Sequence, residues 1–337
     1  MSISTLRDRV RNELTSFAWD QWAQMGVFAP SERRDQWAAD PEALLLFSLE
    51  IGRDDPRLFD EVLDWMLTNE RLVSVQRLRN LSTDDDERDL AEAALAWVAH
   101  HGPSARFKPL AGRRKQTGNP MPLFRTVAQE VRSPDEVFLS FDLLKPDTPP
   151  GGKSRPPDPG LPINFAFRMR HLFGLGSRAE VVRYLITFSE TAVSAQSIAE
   201  AAGYAKRNVN ETLAALVASR TVTTFEVGNE RRYLVNRAHW DQLLELQPGA
   251  RPTYRDWPRL LSALRRLYRW FEDTKLDQLS PYMLASEART LMNELESSLA
   301  TASVLLPSTA SAQGEDYWAV FEQSVDQVLS ALTHGWV

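Results

Sequence analysis

The sequence predicts a mainly α-helical protein carrying one small β-hairpin. Apolar residues recur at helical spacing from residue 5 to about 100 and again after residue 250. The two-residue alternation of strands stands out in one short stretch, "TVTTFEVGNERRYLV". The 337 residues, 43% hydrophobic and 25% charged, are those of a globular chain long enough for two or three domains.

Composition also removes whole classes of chemistry. With no Cys there is no disulfide, no thiolate zinc site and no cysteine nucleophile. No apolar run approaches the roughly 20 residues of a membrane-spanning helix. The start, "MSISTLRDRVRNELTSF", lacks the apolar core of a secretory signal, so the expectation is a cytoplasmic protein with no membrane partner.

Residues 1–102 read as a helical domain. Leu6, Val10, Leu14 and Phe17 form one stripe, and Leu58, Phe59, Val62, Leu63, Met66 and Leu67 form another. Asp40-Pro41 and Asp55-Pro56 are helix starts, with Asp as cap and Pro in the first turn. A further helix is expected from Asp86 to Ala99, stopped at Gly102-Pro103. Residues 103–160 are rich in Pro and Gly and read as a linker region, with one short helix or strand inside "TVAQEVRSPDEVFLSFDLL". Residues 247–337 return to helices. Leu260, Leu261, Leu264, Leu267, Tyr268 and Phe271 lie on one face of the first, and "SEARTLMNELESSLATASVLL" and "DYWAVFEQSVDQVLSALT" supply two more.

The chemistry is concentrated in residues 161–246. The net charge of −6 hides a reversal there: from Leu161 to Trp240 ten Lys and Arg face six acids, which is +4 and leaves −10 for the rest. "SRAEVVRYLITF" predicts a helix, Ser194 caps a second over Ala195 to Ala202, and Gly203 breaks it. A third then runs from about 205 to 220. The hairpin turning at "GNE" follows. Helix, helix, turn, helix and hairpin is the winged helix order. On the third helix Val209, Leu213, Leu216 and Val217 share the inner face. Arg207, Asn210, Glu211, Ala214 and Ala218 fall on or near the outer one, with Asn208 at its edge and Lys206 at the N-terminal end. Arg pairs bidentately with guanine, Asn with adenine, and Glu accepts from cytosine. Base contacts are therefore expected from Arg207, Asn208, Asn210 and Glu211. Phosphate contacts are expected from Lys206 and from Arg231 and Arg232 beyond the turn.

The spacing of Ala199, Gly203, Val209, Leu213 and Leu216 in "IAEAAGYAKRNVNETLAALVASRTV", followed by "GNERRYLV", resembles winged-helix transcriptional regulators of the MarR and ArsR kind. The resemblance covers roughly the 80 residues of this segment and implies a DNA-binding fold. More weakly, "FRMRHLFGLGSRAEVVRYLIT" resembles regulators that accompany nucleotidyltransferase toxins, which implies an antitoxin-like repressor.

Other motifs are set aside. "GGKS" at Gly151 lacks the upstream Gly of a phosphate loop, which is Asp147 here. "GLGSRAE" at Gly174 has no downstream metal-binding carboxylates on a strand, and "DDDERD" at Asp84 is a solvated charge run before a helix. His100, His101, His171, His239 and His334 show no zinc-binding spacing. Arg106, Lys108, Arg113, Arg114 and Lys115 form a basic loop. The expectation is a non-enzymatic regulator of transcription, a repressor that binds duplex DNA as a homodimer and needs no cofactor or metal. The alternative is an antitoxin or adaptor whose helical domains bind a protein partner.

Overall fold

The computed structural model describes residues 2–31, 35–103, 106–107, 118–126, 131–188, 191–247, 250–308 and 312–333. Among these residues the chain is mainly helical, with 14 α-helices and short strands. No helix among them is long and apolar enough to cross a membrane.

The amino-terminal part holds α1 (Ile3–Gln24), α2 (Pro41–Ile51), α3 (Pro56–Thr68), α4 (Val75–Leu81) and α5 (Asp85–His101). Asp40 and Asp55 cap α2 and α3 as their sequences require, accepting from the amides of Ala43 and Leu58. Every residue of α2 is buried, so this helix is the axis around which its neighbours assemble. The carboxy-terminal part holds α12 (Trp257–Phe271), α13 (Pro281–Thr301) and α14 (Tyr317–Thr333). These helices share one apolar core with the amino-terminal ones. Trp257 meets Phe17 and Trp37, with ring centroids 5.6 Å apart in both pairs.

The region expected to be a linker is fixed to this body. It contains β1 (Met121–Pro122), α6 (Glu136–Leu139) and β2 (Leu143–Leu144), with β1 and β2 pairing in parallel. Proline denies this region long elements but does not keep it in solvent, because its free amides and aromatic rings find partners in the body. Gly152, Lys153 and Ser154 donate their backbone N–H groups to the Asp64 carboxylate, and Phe124 and Phe138 pack edge-on against Phe59. The "GGKS" loop therefore already wraps a carboxylate of its own chain.

The central part has a separate core. It comprises α7 (Phe165–Phe173), α8 (Ser177–Thr187), β3 (Val193–Ser194), α9 (Ala195–Ala202), α10 (Lys206–Ala218), β4 (Thr223–Val227), β5 (Glu230–Leu234) and α11 (Arg237–Leu243). The three strands form an antiparallel sheet in the order β3-β5-β4.

A fully buried ionic cluster joins this unit to the body. Arg77 on α4 holds Asp40 through both terminal nitrogens, at 3.0 and 2.5 Å, and also pairs with Glu42. Arg170 on α7 bridges Glu42 and Glu180, each at 2.6 Å. Arg183 on α8 bridges Glu180 at 2.9 Å and Asp40 at 3.0 Å. Three cations meet three anions, and no charge is left over. Arg77 further donates through Nε to the Ala202 carbonyl at 2.8 Å, at the end of α9.

Burial raises the Asp40 and Glu180 carboxyls, but the surrounding guanidiniums outweigh it and hold both below the ordinary carboxylate range. Depressed folded values stabilise the protein above the unfolded values of about 4. That contribution disappears as pH falls through the folded values, so unfolding midpoints in urea should hold between about pH 7 and 5 and drop steeply below about pH 4. Removing one partner leaves buried charge uncompensated, so Arg77→Ala should cost about 3–5 kcal/mol in equilibrium unfolding.

Candidate nucleic-acid interface

Helix α9 begins at Ser194, whose hydroxyl accepts from the amide of Ser197 at 3.1 Å, and ends at Gly203 in the left-handed conformation, φ +66°. Only glycine adopts that turn without strain. The turn is tight against α4: a Cβ at Gly203 would lie 3.3 Å from Arg77 Nε and from a Leu81 methyl, and Asn80 donates to the Gly203 carbonyl at 3.0 Å. The first turn of α10 thus starts from a point fixed by the buried cluster.

Helix α10 buries Val209, Thr212, Leu213 and Leu216. Thr212 meets the Ser177 hydroxyl of α8 at 2.9 Å. Its outer face, Lys206, Arg207, Asn210, Glu211, Ala214, Ala215 and Ala218, is exposed, and Asn208 is half-buried at the edge. The N-cap residue is Ala205, which supplies no side-chain acceptor, so the first amides of α10 have no side-chain cap.

Between α10 and the hairpin lies a groove of about 870 Å³. Lys206, Asn210, Ala214 and Ala218 form its helical wall, and Thr224, Glu226, Arg231 and Tyr233 its strand wall. Gln196 on α9 and Asn229 at the hairpin turn close it. Of the residues expected to meet DNA, the structure therefore brings Lys206, Asn210 and Arg231 together. Arg207 and Glu211 flank the groove on the solvent side of α10. Arg232 does not line the groove: strand alternation sets it off the face that carries Arg231 and Tyr233, and it pairs at 2.6 Å with Glu230, which stands at the groove's hairpin end.

Gln196, Thr224, Asn229 and Tyr233 are lining residues that the sequence reading did not include. The alternation of β4 and β5 already contained Thr224 and Tyr233, since they share a face with Glu226 and Arg231. Gln196 was not legible, because its place depends on β3 pairing with β5, Val193 opposite Tyr233 and Ser194 opposite Arg232.

The charge of the segment also changes meaning. Arg170, Arg183 and Glu180 lie in the buried cluster and contribute nothing to the surface. At the surface Arg207 pairs with Glu211 and Arg231 faces Glu226 at 3.9 Å, while Lys206 pairs with no acid among the described residues. In the basic loop, Arg106 donates to the Glu70 carbonyl at 3.1 Å. Lys108, Arg113, Arg114 and Lys115 lie outside the described residues, as does His334. No cluster of three or more metal-binding side chains occurs among the described residues.

Compared with family models, curated proteins and solved structures, the chain has no match.

A side chain at Gly203 would impose a left-handed strain and crowd the Arg77 and Leu81 side chains of α4. Gly203→Ala should cost at least about 1–2 kcal/mol of stability, read by thermal or denaturant unfolding.

Proposed function

We propose that the protein is a sequence-specific duplex-DNA-binding transcriptional regulator, a repressor that reads the major groove with α10. In this reading the central unit is a winged helix, with β4 and β5 as the wing. The observation that carries it is a helix packed by one face only, whose polar outer turn stands beside a groove bounded by a hairpin. A helix of this kind enters the major groove with its N-terminal residues at the base edges. Arg207 suits guanine and Asn210 adenine, while Lys206 and Arg231 suit phosphate. Ala214, Ala215 and Ala218 let the rest of the helix lie close to the groove floor.

Charge distribution supports the same orientation. Residues 281–333 hold seven acids and one arginine. This acidic end, like the acidic residues 1–102, contrasts with the +4 of the central unit, which favours approach to DNA by that unit. Binding as a homodimer is part of the proposal, since two-fold proteins match palindromic sites; light scattering with and without duplex tests it.

One observation favours a second reading, an antitoxin or adaptor that covers a protein partner. Leu172 and Leu243 are exposed beside an apolar groove of about 640 Å³ between α7 and α11. Surfaces of this kind mark protein contacts. Binding to labelled duplex from upstream of the gene, against scrambled duplex at two salt concentrations, separates the readings. A regulator keeps its preference at physiological salt; an adaptor shows weak, sequence-blind binding that salt abolishes.

Two substitutions refine the outcome. Arg207→Ala should cost about 1–3 kcal/mol on the preferred site and relax the preference there. Arg231→Ala should weaken all duplexes about equally and reduce the salt slope by about 1. Equal behaviour of both variants and the parent in gel-shift titrations would place the interface elsewhere.

A further inference from the structure

An acid on the outer face of α10 opposes phosphate, and its placement needs a reason. Glu211 accepts from Arg207 Nε at 3.2 Å, one helical turn away. Both side chains are freely exposed, at 88% and 68%, so neither is held by packing. An exposed pair of this spacing contributes little to stability. Its geometric effect is larger.

The guanidinium is a planar fork with five N–H donors. With Nε turned toward Glu211, the terminal edge formed by Nη1 and Nη2 points away from that carboxylate and is left free of it. That edge matches O6 and N7 of guanine. No other hydrogen bond or ion pair restrains Arg207 among the described residues, and the next turns of the outer face offer only Ala214, Ala215 and Ala218. Among the described residues, Glu211 is the side chain that bonds this arginine.

We propose that Glu211 is a positioning residue for Arg207: it fixes the guanidinium for bidentate contact with a guanine and sets base preference without touching a base. The inference rests on the DNA-binding reading above and replaces the expectation that Glu211 accepts from cytosine. The pair restricts the ligand to duplex sites with a guanine under the first turn of α10. It also lets the acid act against sequence-blind binding, since an Arg207 engaged with Glu211 is a poorer phosphate ligand than a free one.

The test uses the full-length protein and a duplex that it selects from a random pool, with each G·C pair changed in turn to A·T. The parent should lose about tenfold or more in affinity at the guanine read by Arg207. Arg207→Ala should lose that discrimination. Glu211→Ala should lose it at the same base pair while binding scrambled duplex more tightly, because a charge opposing phosphate is gone. In the Arg207→Ala background, Glu211→Ala should change discrimination no further. Circular dichroism melts of the variants should match the parent. Full discrimination by Glu211→Ala, or loss at a different base pair, overturns the inference and leaves the proposed function standing. A parent that does not distinguish selected from scrambled duplex overturns the proposed function, and the inference with it.

Discussion

The arrangement of this protein depends on six buried charged side chains: Arg77, Arg170 and Arg183 against Asp40, Glu42 and Glu180. Taking such groups out of solvent costs several kcal/mol for each ion, and attraction offsets that only when geometry and hydrogen bonding are complete. Completeness here requires four helices in one relation, because Asp40 and Glu42 come from the start of α2, Arg77 from α4, and the others from α7 and α8. Any rotation of the central unit on the body would leave a guanidinium or a carboxylate unpaired. The cluster therefore specifies orientation more than it adds stability, and through Ala202 and Gly203 that orientation reaches the first turn of α10.

The same device recurs within the body. Arg265 pairs with Glu87, both buried, and Arg269 links Glu50 to Asp84. Arg125 reaches Glu50 and Asp54, and the Tyr268 hydroxyl donates to Asp54. Burial, and then the Asp54 carboxylate, push the Tyr268 phenol far above its ordinary range, so it stays a donor. These contacts tie α12 to α2 and α5 and bring the segment around Arg125 with them. Charge complementarity thus joins parts of the chain that are more than a hundred residues apart, and it adds a register that apolar packing alone does not impose.

Around the groove the balance is different. Each arginine there has an acid beside it, and Lys206 at the tip of α10 pairs with no acid among the described residues. A surface built this way attracts phosphate only modestly, so in the proposed DNA-binding reading more of the discrimination falls to shape and base-edge contact. The small side chains of α10 contribute to that by absence, since they let a partner approach the helix closely.

The periodic content of the sequence determined the helices and their inner faces. Leu6 to Phe17, the Asp-Pro caps of α2 and α3, and Val209, Leu213 and Leu216 are all local patterns, and local sterics and capping decide them. The outer face of α10 was legible for the same reason. What only the tertiary structure decided is everything that needs two distant segments at once. The charged residues of the buried cluster look in the sequence like ordinary surface residues, and nothing local says that Arg170 and Arg183 leave the surface count. The Pro-rich region reads as a linker because proline forbids regular elements, yet Asp64 and Phe59 hold it in place. Gln196 joins the groove only because β3 pairs with β5. A sequence fixes short-range conformation through sterics and caps, whereas burial of charge and closure of a groove are properties of the whole packed chain.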